Sequence, residues 1–288
     1  MLDIKEEELK TILPLDGPST EEVKKYLEKY NDEYIVIKCG GSVLIDQNLF
    51  DIFIKDISTL NKLGFTPIIV HGGGKRISNK LNEIGLESKF IKGLRVTDKE
   101  TIKVVEEVLI DFNKEIINAL DKQNCESQSI NSKKNNIFTV VEENEELGFV
   151  GSPTNVNQSI IDKIISDKKV PIIAPLGLDK NDQTYNVNAD TAAGYIAKKI
   201  NTRRLIILSD VEGVLDNNKN LIPEINSESI KNLIDNETIT GGMIPKINNC
   251  LDVASNGVKG VVIIDGRKNH SVLFELLSDE GSGTLIRQ

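Results

Sequence analysis

Glycine-rich segments and charged side chains recur in this sequence where short apolar runs end. Gly40-Gly41-Ser42, Gly72-Gly73-Gly74 and Ser209-Asp210 each follow a β-branched run, and Gly241-Gly242 precedes an amphipathic segment. Glycines let backbone N–H groups come close to an anion, and helix N-termini add a partial positive charge. Several such segments in one chain predict a site for a phosphate-bearing ligand.

Charged side chains accompany these glycines. Lys38 ends an apolar run, Lys246 lies in the first turns of a predicted helix, and Asp190 opens another helix. Because the helix dipole disfavours a cation at an N-terminus, Lys246 indicates a bound anion or a carboxylate partner. The guanidinium of Arg95 is suited to a two-pronged grip on a carboxylate. A solvated lysine and a helix cap are simpler explanations for Lys38 and Asp190.

The apolar runs predict the elements that hold these residues. Buried strands are expected at 34–38, 67–71, 170–175, 204–208 and 260–264, hairpins at 86–96 and 136–150, and helices at 48–63, 74–84, 98–122, 157–168, 189–200 and 243–256. Thr97 and Glu100 have the spacing of a capping box. Strand–helix alternation predicts an α/β protein with a largely parallel sheet, whose ligands bind beyond the carboxyl ends of the strands.

Composition excludes several classes of protein. The 288 residues are 39% hydrophobic and 27% charged, as in globular proteins. A net charge of −9 without a basic stripe argues against a nucleic-acid partner. No apolar run approaches the ~20 residues of a membrane span. The N-terminus lacks a signal-peptide layout and the three cysteines have no paired spacing, which predicts a cytoplasmic protein with no membrane partner.

The sequence lacks the residues that a zinc enzyme or a serine hydrolase would need. The chain has only two histidines and no cysteine cluster, so we expect no histidine-rich zinc site and no metal held by side chains alone. Neither His71 nor His270 accompanies the G-x-S-x-G turn of a hydrolase. The P-loop pattern and the dinucleotide-binding G-x-G-x-x-G pattern are also missing.

Taken together, the glycine-rich and charged segments resemble the amino-acid kinase family. The segments that carry the resemblance are KCGGS (38–42), HGGG (71–74), GLRVTD (93–98), YNVNAD (185–190), LSDVEGVLD (208–216), GGMIPK (241–246) and IDGR (264–267). The resemblance implies an open three-layer α/β/α sandwich. It also implies a lobe for an acyl-amino acid at 34–175 and a lobe for ATP at 176–288, after the N-terminal extension that the pattern of residues 1–33 sets apart.

The branch of the family that acts on N-acetyl-L-glutamate is the most similar. The implied reaction transfers the γ-phosphoryl group of ATP, with Mg²⁺, to the side-chain carboxylate of N-acetyl-L-glutamate, the second step of arginine biosynthesis. A carboxylate is already ionised at pH 7, so the scarcity of histidine is no obstacle. Catalysis then consists of positioning two anions and neutralising the transferring phosphoryl group.

The resemblance also implies roles for individual residues. Lys38 and Lys246 would neutralise charge, and Asp190 would hold both ammonium groups in place. The substrate would contact Gly73, Gly74, Arg95, Asn186 and Asn188. The phosphates and the nucleotide would contact Gly40, Gly41, Ser209, Asp210, Gly213, Gly242 and Met243.

Alternatives stay open at this point. A kinase of N-acetyl-L-aminoadipate, aspartate or glutamate would use the same fold, and Ser42-Val43-Leu44 replaces the usual Asn-Ala-Met of the nearest relatives. Residues 124–136 also lack the glycine- and aspartate-rich turn often found there. A non-catalytic sensor of an amino acid or nucleotide is the second alternative, but it would be expected to lose Lys38, Asp190 or Lys246.

The N-terminal extension has its own pattern. Ser19 and Glu22 have capping-box spacing, and an apolar stripe follows at Val23, Tyr26, Leu27 and Tyr30. The stripe predicts a short helix that either packs on its own domain or projects as an assembly arm. By the resemblance we expect a homodimer, with a larger homo-oligomer if this helix links dimers.

Overall fold

In the computed structural model, which describes residues 4–30 and 33–288, strands and helices alternate along most of the chain. The helices are α1 (Glu6–Ile12), α2 (Thr20–Lys29), α3 (Gln47–Lys62), α4 (Gly74–Glu83), α5 (Lys99–Asp121), α6 (Gln158–Ser166), α7 (Ala189–Lys199), α8 (Ser227–Asp235), α9 (Met243–Ser255) and α10 (Ser271–Leu277). The strands are β1 (Ile35–Cys39), β2 (Pro67–His71), β3 (Phe90–Ile91), β4 (Leu94–Arg95), β5 (Ser127–Ile130), β6 (Phe138–Glu142), β7 (Gly151–Val156), β8 (Val170–Ile173), β9 (Leu176–Leu178), β10 (Thr184–Asn186), β11 (Arg204–Ser209), β12 (Glu224–Ile225), β13 (Val261–Asp265) and β14 (Gly283–Ile286). The predicted strands and helices are confirmed to within a few residues.

The main sheet places the glycine-rich segments side by side. Its eight strands run in the order β12-β14-β13-β11-β1-β2-β8-β5. All neighbours are parallel except β13 and β14. Because β1 lies between β11 and β2, the segments that follow these three strands meet at one edge of the sheet. This is the edge at which ligands bind in open α/β sheets.

Side chains of β1 point alternately to the two faces of this sheet. Val36 joins a core that includes residues of α6, α7 and α9. Ile35 and Ile37 join a second core that includes residues of α2, α3, α5 and α10. Strands that are apolar on both faces must be covered on both faces by helices. The predicted three-layer α/β/α sandwich is therefore confirmed.

Two smaller sheets accompany the main sheet. The hairpin predicted at 86–96 is confirmed by the antiparallel pair β3 and β4. The hairpin predicted at 136–150 begins correctly with β6, but its end is wrong. A 3-10 turn at Glu145–Leu147 follows, capped by the Asn144 side chain, and the second strand is β7. β9 and β10 complete this sheet, and they are too short to show a period in the sequence.

The boundary between the predicted lobes at 34–175 and 176–288 stays a prediction. The main sheet runs through both segments, and β9 and β10 of the second segment pair with β6 and β7 of the first. No helix within 4–30 and 33–288 has the length and apolar character needed to cross a membrane.

Helix α2 packs on its own chain. The predicted capping box is present, with the Ser19 hydroxyl accepting from the Glu22 N–H at 3.3 Å. Val23 and Tyr30 are buried in the core that also contains residues of α3 and α10. Of the two interpretations of the apolar stripe, packing on the domain is therefore the one observed. The described part of the predicted extension is residues 4–30 and 33.

The cap of α5 differs from the prediction. Asp98 caps the helix, because its side chain accepts from the N–H groups of Glu100 at 3.1 Å and Thr101 at 2.8 Å. The Thr97 hydroxyl instead donates to the carbonyl of Arg95 at 2.8 Å. The predicted capping box of Thr97 and Glu100 is wrong, since a stronger capping residue stands one position later.

Both histidines have structural partners. His71 is buried, its Nδ1 lies 3.0 Å from the carbonyl oxygen of Gly72, and its Nε2 lies 3.2 Å from Asn113 Nδ2. His270 places Nδ1 2.6 Å from Asp56 Oδ1 and Nε2 3.2 Å from Asp16 Oδ1. Because both ring nitrogens of His270 face carboxylates, this residue is not arranged as the base of a serine hydrolase.

The contacts of His270 predict a pH-dependent stability. Burial raises the pKa of the Asp56 carboxyl to about 6, and the hydrogen bond to Asp56 raises the pKa of His270. The folded pair thus holds its proton more tightly than the unfolded chain does. The contribution of His270 is fully present below the unfolded histidine pKa of about 6.5 and is lost as pH rises through its folded pKa. The contribution of Asp56 is lost earlier, between its unfolded pKa of about 4 and its folded pKa of about 6.

We expect urea denaturation between about pH 6.5 and pH 9 to show a falling free energy of unfolding, with a flatter curve for His270→Gln. Burial lowers the pKa of His71 to about 4, so its own effect on stability lies mainly between about pH 4 and the unfolded value of about 6.5. Because His71 is present in both proteins, that effect cancels in the comparison. Equal slopes in the two proteins would contradict the prediction.

Candidate active site

One carboxylate holds two lysines at the edge of the sheet. Lys38 lies at the carboxyl end of β1, and Asp190 and Lys246 lie in the first turns of α7 and α9. Lys38 Nζ is 2.9 Å from Asp190 Oδ1, and Lys246 Nζ is 2.5 Å from Asp190 Oδ2. The three residues predicted to be catalytic therefore meet, and Asp190 is the carboxylate partner that the position of Lys246 indicated.

The electrostatics of this trio keep Asp190 ionised. The side chains of Lys38, Asp190 and Lys246 are 11%, 20% and 19% exposed. Burial by itself would raise the pKa of Asp190, but the two ammonium groups outweigh it and hold that pKa well below its ordinary value. Asp190 thus stays ionised and positions the lysines, and the trio keeps one positive charge in excess for an anionic ligand.

A cavity of about 280 Å³ opens on the Lys38 side of the trio. Its wall contains Lys38, Gly40, Gly41, Leu44, Gly72, Gly73, Gly74, Lys75, Ile77, Phe90, Gly93, Leu94, Arg95, Leu109, Val150, Pro175, Asn186, Val187, Asn188, Ala189 and Asp190. The structure therefore brings together in one wall all five predicted substrate-binding residues and, of the seven predicted phosphate- or nucleotide-binding residues, Gly40 and Gly41.

Two positions in this wall, 41 and 74, differ in whether the chain's own structure requires glycine. Gly41 has a φ of +66°, and a side chain there would collide with the Asp210 carboxylate. Gly74 has no neighbouring atom within 4 Å of where a Cβ would stand. The chain's own packing does not require glycine at 74, so this position leaves space open beside the backbone amides at the start of α4.

Arg95 is a buried cation without an anionic partner among the described residues. It is 6% exposed, and its guanidinium donates to the Gly74 carbonyl at 2.8 Å and to the hydroxyls of Ser78 and Ser88. The guanidinium also lies 4.8 Å from the centre of the Phe90 ring. Burial lowers the pKa of Arg95, yet an arginine stays charged in proteins. A charge in this position requires compensation, which an anionic ligand in the cavity would supply.

The two asparagines of the wall hold the backbone around Asp190. Asn186 Nδ2 lies 3.4 Å from the Thr97 hydroxyl. Asn188 caps α7, since its Oδ1 accepts from the N–H of Asp190 at 2.9 Å and of Thr191 at 3.1 Å. This cap fixes the turn from which Asp190 reaches both lysines.

A second cavity, of about 740 Å³, opens on the Lys246 side of the trio. Its wall contains Lys92, Gly93, Leu94, Asn188, Asp190, Thr191, Gly241, Gly242, Pro245, Lys246 and Asn249. The two cavities share Gly93, Leu94, Asn188 and Asp190. The trio therefore stands between spaces for two ligands, which is the arrangement that a group transfer between them needs.

Some predicted nucleotide-binding residues lie outside these two walls. Gly213 has a φ of +142° and its missing side chain leaves room for Thr284 and Leu221. Ser209 pairs with Asp265 in the main sheet, and Met243 packs on the core. Their contacts with a nucleotide stay predictions.

Asp210 has partners that the sequence reading missed. It accepts from the backbone N–H of Ser42 at 2.6 Å and from Lys75 Nζ at 2.9 Å. Lys75 is the second residue of α4, and its Nζ is also 3.3 Å from the Ser42 hydroxyl. A cation in the first turn of a helix, the signal used for Lys246, would have singled out Lys75 as well.

Comparison with known proteins adds to this geometry. The sequence model of the Amino acid kinase family matches residues 33–265. The chain is 67% identical over 288 residues to the acetylglutamate kinase of Pelagibacter ubique, covering 100% of both chains. It is 42% identical over 277 residues to the acetylglutamate kinase of Methylobacterium nodulans, covering 91% of each.

Among solved structures, the N-acetylglutamate synthase of Neisseria gonorrhoeae complexed with coenzyme A and N-acetyl-glutamate superposes with a TM-score of 0.84 at 19% identity. The match covers 93% of this chain and 62% of that one. At this identity the match shows the shared fold.

Proposed function

The chain belongs to the amino acid kinase family, and on that premise we propose that it transfers the γ-phosphoryl group of ATP to the side-chain carboxylate of N-acetyl-L-glutamate. The relatives of 67% and 42% identity are both named acetylglutamate kinase. The single observation that carries the chemistry is the trio of Lys38, Asp190 and Lys246 between the two cavities. The chain is then an ATP-dependent kinase of arginine biosynthesis.

The reaction needs charge neutralisation more than proton transfer. An oxygen of the acceptor carboxylate forms a bond to the γ-phosphorus, and the bond from the γ-phosphorus to the β,γ-bridging oxygen breaks. That bonding pair stays on ADP, and no proton moves because the acceptor is already ionised. Lys38 faces the first cavity and Lys246 the second, so their ammonium groups reach the transferring group from opposite sides.

The acceptor binds in the first cavity. Arg95 would pair with its α-carboxylate, because this guanidinium is buried and its partners among the described residues are neutral. The amides of Gly73 and Gly74 and the side chains of Asn186 and Asn188 supply further polar contacts in the same wall. The larger second cavity, which contains Gly242 and Lys246, suits the larger ligand, ATP.

Mg²⁺ would accompany ATP. Within the described residues, no group of three or more His, Cys, Asp or Glu side chains is placed to hold a metal ion. Asp210, whose carboxylate lies beside Gly41, already accepts from Ser42 and Lys75. These residues fit an ion held chiefly by phosphate oxygens and water, which Mg²⁺ prefers. When bound, Mg²⁺ neutralises charge on the phosphates.

The test is a substrate panel. The protein is incubated with Mg-ATP and N-acetyl-L-glutamate, N-acetyl-L-aminoadipate, L-aspartate or L-glutamate, with hydroxylamine to trap an acyl phosphate as its hydroxamate. We expect ADP and hydroxamate with N-acetyl-L-glutamate. Product with another acid instead would reassign the substrate and keep the mechanism. A folded protein that binds ATP and gives no product would favour the sensor.

The choice of acceptor rests on the relatives more than on the cavity. One methylene group separates N-acetyl-L-aminoadipate from N-acetyl-L-glutamate, and such a difference changes discrimination only about 10- to 200-fold. The panel therefore compares kcat/KM for the two acids rather than the mere presence of product.

The setting of the reaction is part of the proposal. Cys39, Cys125 and Cys250 are free and buried, which agrees with a reducing cytoplasm. A homodimer with an acyl-amino-acid lobe and an ATP lobe stays our expectation. Assembly through α2 receives no support from its apolar stripe, because Val23 and Tyr30 are covered by the chain's own core.

A further inference from the structure

Lys75 is a cation that the proposed mechanism does not yet use. It follows Gly73 and Gly74 directly and is the second residue of α4. Its Nζ lies 2.9 Å from Asp210 Oδ2 and 3.3 Å from the Ser42 hydroxyl. Lys75 also belongs to the wall of the first cavity, together with Lys38 and Arg95.

Asp210 holds this lysine against the glycine-rich segment after β1. Its Oδ1 accepts from the Ser42 N–H at 2.6 Å, and its Oδ2 receives Lys75. Burial by itself would raise the pKa of Asp210, but the Ser42 N–H and Lys75 outweigh it and lower that pKa. Asp210 is therefore ionised and holds the Lys75 ammonium group by its negative charge, as Asp190 holds Lys38 and Lys246.

Asp210 offsets the charge of Lys75 but leaves the partial positive charge of the α4 N-terminus uncompensated. The N-terminus of α4 carries a partial positive charge, and a lysine in the first turn adds to it. Lys38 and Arg95 add further positive charge to the wall that contains Lys75. The carboxylates beside these cations are Asp190 and Asp210, and Asp190 also pairs with Lys246. Cations exceed carboxylates around the opening, which suits a ligand with several negative charges.

The pair of Lys75 and Asp210 is accessible to such a ligand. The two side chains are 48% and 34% exposed, whereas Lys38 and Asp190 are 11% and 20% exposed. A half-exposed ion pair contributes little to stability. Stabilising the contact between α4 and the segment after β11 therefore does not explain why this pair is present. The Lys75 ammonium can leave Asp210 or bridge it to an incoming phosphate with little loss.

We propose that Lys75 is a third phosphate-binding cation of the active site, positioned by Asp210 to contact the terminal phosphate of ATP where it enters the first cavity to meet the acceptor. The inference rests on the proposed phosphoryl transfer. Lys75 keeps its proton throughout and supplies charge, while the phosphorus–oxygen bonds form and break as described for the acceptor carboxylate and ADP. Its contact strengthens as negative charge shifts to the β,γ-bridging oxygen.

The test compares Lys75→Gln and Lys75→Arg with Lys80→Gln as a matched control. Lys80 lies on the same helix, outside both cavity walls, and pairs with Glu83 at 3.6 Å. Steady-state kinetics give kcat and the KM values for Mg-ATP and the acceptor. Calorimetry gives the affinity for Mg²⁺ with the non-hydrolysable analogue AMP-PNP, and for adenosine as a ligand without phosphates.

For Lys75→Gln we expect kcat/KM for Mg-ATP and the affinity for Mg-AMP-PNP to fall by about 10- to 100-fold, the value of a charged hydrogen bond. Adenosine affinity and acceptor KM should stay unchanged. Lys75→Arg should recover part of the loss, and Lys80→Gln should behave as the wild type.

Asp210→Asn should also reduce the affinity for Mg-AMP-PNP. The variant that combines Lys75→Gln with Asp210→Asn should lose less than the two single losses combined, because both residues act through one contact.

Wild-type affinity for Mg-AMP-PNP in a folded Lys75→Gln protein would overturn the inference. A rise in acceptor KM alone would also overturn it, since Lys75 would then serve the other ligand. Failure of the proposed function is separate: it appears as absence of product from the wild type, and the AMP-PNP titration tests Lys75 in that case too.

Discussion

Lys246→Ala is expected to lower kcat by about 10²-fold or more, because it removes a charge aimed at the transferring phosphoryl group. Lys246 is 2.5 Å from Asp190 and 19% exposed. Water that fills the space left by its side chain carries no charge, so the positive charge of the ammonium group is lost. Lys38→Ala should have an effect of the same order, since Lys38 holds the equivalent place at the other carboxylate oxygen. The measurement is kcat at saturating Mg-ATP and acceptor, with circular dichroism to verify folding.

Lys198→Ala provides the matched control for Lys246. Lys198 lies in α7 and pairs with Asp252 of α9 at 2.6 Å, so it joins the same two helices as Lys246 and Asp190. Its loss should leave kcat near the wild-type value. Full kcat in folded Lys246→Ala or Lys38→Ala would contradict the charge-neutralising role. Equal losses in Lys198→Ala and Lys246→Ala would point to helix packing instead.

Arg95→Ala is expected to raise the KM for the acceptor by about 10- to 100-fold, the cost of losing charged hydrogen bonds. The reason is the environment of the guanidinium, which is buried and lies in the wall of the first cavity. Within the part of the chain that the structure describes, it donates hydrogen bonds to hydroxyl and carbonyl oxygens and to no carboxylate. The KM for Mg-ATP should change little. The two KM values are measured in one set of initial-rate experiments.

Two further variants make the result specific. Arg95→Lys retains the charge and loses the forked geometry, so its acceptor KM should lie between those of the wild type and Arg95→Ala. Arg203→Ala removes an arginine that pairs with Glu33 at 2.7 Å, and it should leave both KM values unchanged. Equal increases in the two KM values for Arg95→Ala would remove Arg95 from the acceptor pocket.

The chemistry explains why so few titrating groups serve this site. An ionised carboxylate acceptor needs no base, and the pKa of Asp190 is held far below the physiological range by Lys38 and Lys246. Both histidines have structural contacts away from the trio, His71 with Asn113 and His270 with Asp56. Activity should therefore depend on fixed charges rather than on a residue that titrates near neutral pH.

Local features of the fold could be predicted from the sequence because their causes are local. β2 matches its predicted residues, and the capping box of α2 forms from residues three apart. The three-layer architecture follows from strands that are apolar on both faces. Predictions failed where two local solutions competed: Asp98 rather than Thr97 caps α5, and the turn before β7 delays that strand.

The sequence by itself determined the residue types of the site, since glycines at strand ends and lysines near helix N-termini predict an anion site without any partner being known. Only the tertiary structure decided which charges meet. Asp210 and Lys75 are 135 residues apart, and Asp190 and Lys246 are 56 apart. No periodicity extends over such separations. These pairs exist because β11, β1 and β2 are neighbours in the sheet and because α7 packs beside α9. A carboxylate's partner is set by that packing, and so is its pKa.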